Sequence, residues 1–325
     1  PFTMHPLSDH FKKELDNFVS TCRIVKKMKG LRIGVFGART SAFKSVRYDE
    51  IALERFGIDV ETLDLSYILE RLSAIEKTDK NVTKWREKLH HTADFQNVPE
   101  EAEFTIARLG VLFDQLINEM SLDAVAIRCW SELQKEIQIT PCSVMGVFNQ
   151  FGIPFACETD VTNAAAMAAL TAGTDKPVGC LDLNNNYGEE ENKCILFHCG
   201  PLPLDLMVGP GEIQEHKMFT KTMGENCSWG LNVSRIKPGK ITLISMRTEN
   251  GHIEYYCENA LISEEKVEDA FFGVSGVMVL DDLQRKLMNM SKAGFRHHTI
   301  IASGHHSEPV CEALSNYLGY DRVLL

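Results

Sequence analysis

In the first half of the chain, compact apolar runs alternate with stretches in which apolar residues recur every three or four positions. That alternation predicts buried strands interleaved with amphipathic helices. Residues 8–29 read as such a helix, with Phe11, Leu15, Phe18, Val19, Cys22 and Val25 at helical spacing. LRIGVFG (31–37) then reads as a buried parallel strand ending in glycine. VETLDL (60–65), DAVAIRC (123–129) and GIPFACE (152–158) read as three more, with helices between them, one near 142–150. The Ala-rich VTNAAAMAALTAG (161–173) follows as a helix closed by Gly173. Such alternation implies a parallel sheet covered on both faces.

The texture changes at KPVGCLDLNN (176–185). From there to about residue 262, NKCILFHCG, KITLISMRT and HIEYYCENAL are strand-like and separated by turn signals such as PGK (238–240) and NG (250–251). VLDDLQRKLMNMSKAGF (279–295) returns to helix, HHTIIAS (297–303) to strand and PVCEALSNYLGY (309–320) to helix. The expected fold class is α/β: a doubly wound parallel-sheet domain over residues 1–174, then a mixed domain over 175–325 with an antiparallel β-barrel-like core. Two domains suit 325 residues, because single cores stop growing near ~250–300 residues.

A net charge of -11 argues against a nucleic-acid partner, since neutralising phosphates needs a basic face. No apolar stretch approaches the ~20 residues of a membrane span. Ten scattered cysteines, without a C-x-x-C pair, read as reduced thiols of a cytoplasmic protein. The chain begins at Pro1 with no initiator Met, so a piece of something longer is expected.

In a parallel sheet, ligands gather at the carboxyl ends of strands, which places Arg39, Arg128, Trp130 and Glu158 near the functional edge. GVFGART has a glycine pair without the G-x-G-x-x-G spacing, so a nicotinamide cofactor has little support. Glu158 follows the apolar IPFAC, and Asp182 lies inside VGCLDLN. A carboxylate in such a setting is costly unless it is paired or binds a metal. Alone, each fits a helix cap or an arginine partner equally well. Together with Gly304-His305-His306, they form the oxygen-and-nitrogen donor set that suits Mn²⁺ or another divalent metal. A metal gripping two vicinal oxygens acidifies the neighbouring C–H, and flanking carboxylates then move a proton between C1 and C2 through a cis-enediol. That is aldose–ketose isomerisation.

IPFACETDVTNAAAMAAL, the aspartate of GCLDLNN, FHCGPLP and GHHS together resemble the L-fucose isomerase and L-arabinose isomerase superfamily over most of the chain. The resemblance implies that Glu158, Asp182 and a C-terminal histidine hold Mn²⁺, and that the two carboxylates are also the catalytic acid/base pair. It places the histidine ligand at His306, with His305 in reserve. It puts His198 where the arabinose branch has a further ligand, as a fourth ligand or a lining residue. It also implies a monosaccharide substrate of the fucose or arabinose type, a trimeric or hexameric homo-oligomer, and an additional N-terminal domain that contributes substrate contacts. The alternative is a sugar-binding or regulatory relative that lacks turnover.

The remaining candidates have blander readings beside them. Trp130 and Trp229 stack on a sugar or simply pack. Arg39 and Lys44 hold a phosphate or belong to a solvated loop. His297 and His298 match no part of the motif and read as a solvated strand start.

Overall fold

A computed structural model describes residues 3–268 and 271–325. The first half comprises α1 (Asp9–Met28), β1 (Arg32–Phe36), α2 (Glu50–Arg55), β2 (Asp59–Leu63), α3 (Leu65–Ser73) and α4 (Lys80–Thr92). It continues with β3 (Ala93–Asp94), α5 (Glu100–Met120), β4 (Ala124–Ile127), α6 (Glu132–Ile137), α7 (Cys142–Gln150), β5 (Phe155–Ala156) and α8 (Val161–Thr174). Strands β2, β1, β4 and β5 form a parallel sheet in that order. Ile33, Val35, Phe36 and all four residues of β4 are buried, as expected of strands covered on both faces. Strand order reverses between β1 and β4, so the loops leaving their carboxyl ends diverge and open a crevice there.

Helix α8 is buried on nearly every side, which its alanines allow by presenting little bulk. It lies between the parallel sheet and the second half of the chain, in one continuous apolar core with α1. A Cβ at Gly173 would sit 2.7 Å from Ile24 Cδ1, so glycine sets how closely α1 approaches. This contact also corrects the expected face of α1. Ile24 and Met28 turn inward, whereas Leu15, Phe18 and Val19 are exposed.

The second half comprises β6 (Val178–Asn186), β7 (Lys193–His198), β8 (Gly211–Glu215), α9 (Lys217–Met223), β9 (Trp229–Arg235), β10 (Gly239–Glu249) and β11 (His252–Ile262). Then follow β12 (Val274–Val279), α10 (Leu283–Ala293), β13 (His298–Ser303), α11 (Ser307–Cys311) and β14 (Asp321–Arg322). Strands β11, β10, β13, β6, β7 and β12 form a ring that closes where Leu261 and Ile262 pair with Val279 and Met278. Strands β9, β8 and β3 extend the sheet beyond β12. β3 comes from the first half of the chain and pairs with β8, so the two halves share a sheet as well as a core.

Side chains on the ring alternate with the period of two that a strand imposes. Leu181, Leu243, Tyr256 and Ile301 fill the barrel. Their neighbours Cys180, Ile244, Tyr255 and Ile300 point outward to α8. Asp182 and His298 therefore lie on the outward rows, facing the first half. Among the described residues, no helix is long and apolar enough to cross a membrane.

Candidate metal and catalytic site

Beyond β5 the chain reverses sharply. Glu158 and Thr159 both take the left-handed conformation, with φ of 59° and 58°, which non-glycine residues adopt rarely. The Thr159 amide donates to the Ile127 carbonyl and the Asp160 amide to the Cys157 carbonyl, each at 3.0 Å. The reversal delivers Asp160 to the N-cap of α8, where it accepts from the Asn163 amide at 3.1 Å and from Asn163 Nδ2 at 2.7 Å. It also turns Glu158 toward the barrel.

On the barrel, Asp182 of β6 and His298 of β13 are cross-strand partners. His298 Nε2 lies 3.5 Å from Asp182 Oδ1 and 3.8 Å from Glu158 Oε2. His297 Nε2 lies 3.1 Å from Glu158 Oε2 and 3.9 Å from Asp182 Oδ1. The opposite nitrogens are held elsewhere: His298 Nδ1 by Asp160 Oδ2 at 2.9 Å, and His297 Nδ1 by Ser45 Oγ at 3.4 Å. Carboxylate support of this kind fixes a ring's tautomer and aim, here with Nε2 toward the two carboxylates.

Among the described residues, buried Asp182 Oδ1 and His298 Nε2 have no nitrogen or oxygen hydrogen-bond partner, and the Cys180 thiol is the neighbour that bears on His298. Buried polar atoms are nearly always satisfied, so such a pair facing each other marks the place where something binds. Burial pushes Asp182 up to about 6, against the pull of His298 and His297. Burial also works against charge on His298, but the Cys180 sulfur, Asp160 and Glu158 outweigh it and hold its pKa well above the ordinary value. At Asp160, burial is likewise outweighed by the His298 hydrogen bond, and the carboxyl stays below its usual range.

The donor set passes a simple test of fit. Neighbouring ligands of an octahedral cation with bonds of about 2.1 Å are about 3 Å apart. Glu158, His297 and His298 have ligand atoms within 4.8 Å of one another, and Asp182 Oδ1 lies 3.5 and 3.9 Å from the two imidazole nitrogens. A second set, Cys180, His198 and His298, also has its ligand atoms within 4.8 Å of one another, all buried. His198 Nδ1 is 2.7 Å from the Cys199 amide, and its buried Nε2 has no partner. Burial beside His298 holds its pKa well below the usual value.

Of the residues anticipated from sequence, Glu158 and Asp182 come together and His198 lies beside them, its ring 5.6 Å from that of His298. His306 does not join them. β13 runs antiparallel to β6, so Asp182 meets its first residue, His298, while the GHH segment follows its last. The five steps along the strand span about 16 Å. His306 Nε2 is instead 3.2 Å from the Ser303 carbonyl, and its amide donates to Thr242 Oγ1 at 2.7 Å. His305 Nε2 lies 3.1 Å from the Ala260 carbonyl. The histidines at the carboxylates are His297 and His298, the pair read as a solvated strand start; His298 has no exposed surface. The available signal was alternation: in HHTIIAS, His298 falls on the row of Ile300.

Trp130 stands one layer away. Its ring is 5.6 Å from Phe43, which in turn is 6.3 Å from His297 and stacked on it. Phe219 lies 4.7 Å from Trp130 on another side. Trp229 bonds Asn226 and packs against the core of the first half, apart from this cluster. Arg39 donates to the Thr40 carbonyl, and Arg128 pairs with Glu132. Asp160, Ser45, Phe43 and Cys180 complete the surroundings, and sequence reasoning had singled out none of them for the site.

No protein-family model matches the chain. It is similar to the sulfoquinovose isomerase of Priestia aryabhattai, 24% identical over 310 residues, covering 90% of this chain and 64% of that protein. It is 28% identical over 229 residues to the sulfoquinovose isomerase of Alkalicoccus urumqiensis, covering 67% and 48%. Against the sulfoquinovose isomerase of Clostridium sp. (strain MSTE9) it is 25% identical over 185 residues, covering 56% and 41%. The chain thus spans less than two thirds of the length of these relatives. They relate it to sugar isomerases.

Proposed function

We propose that the chain carries the catalytic part of a metal-dependent aldose–ketose isomerase acting on a monosaccharide. The observation that carries this reading is the meeting of Glu158, Asp182, His297 and His298, with Asp182 Oδ1 and His298 Nε2 buried and without a nitrogen or oxygen hydrogen-bond partner among the described residues. The proposed ligands are Glu158, Asp182 and His298, with His297 as the fourth. A divalent ion such as Mn²⁺ supplies Lewis-acid polarisation of a sugar carbonyl and its neighbouring hydroxyl.

The rest of the chemistry falls to the chain. Glu158, from the strained turn before α8, and Asp182, from the barrel wall, take a proton from one of the two reacting carbons and return it to the other, through a cis-enediol. Asp160 and Ser45 orient the imidazoles and do not touch substrate. Phe43, backed by Trp130, gives the sugar an apolar wall next to His297 and limits water around the enediol. The relatives' names favour a sulfonated sugar over fucose or arabinose as the substrate. A trimeric or hexameric homo-oligomer belongs to the same proposal and rests on the superfamily resemblance.

Metal content tests the assignment. The purified chain is expected to bind Mn²⁺ at one site and, with a polypeptide as long as its relatives, to interconvert sulfoquinovose and its ketose. Glu158→Gln should fold yet lose at least a hundredfold in turnover. Mn²⁺ affinity and turnover unchanged in that variant would refute the reading. Metal and sugar binding by the longer polypeptide without turnover would favour the regulatory alternative.

A further inference from the structure

A cavity of about 520 Å³ opens beside the metal-ligand cluster. Its walls are the loop after β1, the end of β10 and the turn before β13, and it carries four cationic side chains, Lys44, Arg47, Arg247 and Arg296. The anions on the same walls are already occupied. Glu249 pairs with Arg247, which also pairs with Glu254 at 2.6 Å. Asp49 caps α2 by accepting from the Ala52 amide. That leaves Lys44, Arg47 and Arg296, none of which forms an ion pair among the described residues.

Arg296 is the most telling of the three. Its Nη2 donates to the Arg47 carbonyl, and its buried Nε has no partner. Asp160 and Glu249 act on this half-buried guanidinium only from a distance, without an ion pair among the described residues, and a partly desolvated cation gains from an anion in direct contact. Three unpaired cations around one hollow are unexpected in a chain whose net charge is -11. Guanidinium groups match oxyanions in planar, charge-assisted pairs, which identifies the missing partner by its chemistry.

We propose that Lys44, Arg47 and Arg296 form an oxyanion pocket that takes a sulfonate or phosphate group. Ser45 connects it to the cluster, because it lines the cavity and also contacts His297 Nδ1. Arg296 is the residue immediately before His297. On the isomerase reading above, the anion is the charged tail of the sugar, held while its other end lies at Glu158 and Asp182. The pocket itself does not depend on that reading; only the source of the anion does.

The test is calorimetric titration of the 325-residue chain at low ionic strength with methanesulfonate and with inorganic phosphate. One site is expected. It should weaken on the order of tenfold or more in Arg296→Gln and in the double variant Lys44→Gln/Arg47→Gln. Lys44 and Arg47 are exposed, so the double variant keeps the test valid if Arg296→Gln fails to fold. Displacement of methanesulfonate by sulfoquinovose identifies the substrate's own group as the ligand, whereas phosphate binding that ignores the sugar identifies a free anion. No binding of either probe by the unsubstituted chain, or equal binding in the double variant, overturns the proposal. A parallel Mn²⁺ titration separates the two readings: metal binding without anion binding sinks the pocket alone, and the reverse sinks the isomerase assignment alone.

Discussion

His298 Nδ1 and Asp160 Oδ2 meet at 2.9 Å with neither side chain exposed, and the same aspartate closes the first turn of α8. Asp160→Asn keeps a good capping residue but removes the anion that orients the imidazole. Mn²⁺ affinity should fall ten- to a hundredfold, and stability should fall as well, because the buried pair with His298 is broken even though the cap is kept. Asp160→Ala loses both roles and should also cost about 2–4 kcal/mol, from a lost cap and unsatisfied buried donors. Metal titration and chemical unfolding of the two variants separate these effects.

The two histidine pairs should behave in opposite ways. His298→Ala is expected to abolish Mn²⁺ retention and His297→Ala to weaken it, with the fold intact by circular dichroism. His306→Ala removes a side chain that bonds only locally, at Ser303, and should leave metal content as it was. Loss of metal in His306→Ala alone would contradict the geometry of β13.

Gly200, two residues beyond His198, has a φ of 96°, and a Cβ there would lie 2.2 Å from the Asn232 carbonyl oxygen. Gly200→Ala must move backbone and should cost more than about 3 kcal/mol. Gly188 has a φ of 58° with open space around it, so Gly188→Ala should cost about 1 kcal/mol. Urea midpoints of the two variants check the contrast.

Away from the site, buried Glu103 accepts from Arg86 Nε and faces His90 Nε2, each at 2.7 Å. Burial disfavours its charge, but Arg86 and His90 outweigh burial and hold its pKa below 4.5. On acidification the unfolded chain therefore takes up this proton first. The resulting stability is fully present above the unfolded value and is lost as pH falls through the folded one. Glu103→Gln should flatten the acid limb of stability between about pH 5 and 3, as measured by urea unfolding at stepped pH.

What could be read in the sequence was whatever periodicity and local context fix. The inner strands β1 and β4 stood out because they are buried on both faces and run to compact apolar blocks, whereas β2, at the edge of the sheet, has no buried residue. Glu158 and Asp182 were visible as carboxylates in apolar surroundings. The histidine was misplaced because strand direction is not local: GHH follows the strand and HH begins it, and only the pairing of β13 with β6 decides which end meets Asp182. β12 was missed because Gly273-Val-Ser-Gly-Val-Met-Val breaks its apolar alternation with glycines. On α1 several apolar positions compete for the inward face, and the choice was made by Gly173, almost 150 residues further along the chain.

The six-stranded ring closes through two residue pairs, Leu261 with Val279 and Ile262 with Met278, whereas β10 and β11 are matched over their full length. Counted around the ring, β6 and β13 lie opposite that seam. If the barrel breathes, the short join parts first and β6 with β13 acts as the hinge. Amide hydrogens of Leu261 and Ser263, which face the seam, should then exchange with solvent well before those of Leu181 and Thr299, which face each other across β6 and β13. The strands that bear Asp182 and His298 would keep their mutual register through every such opening.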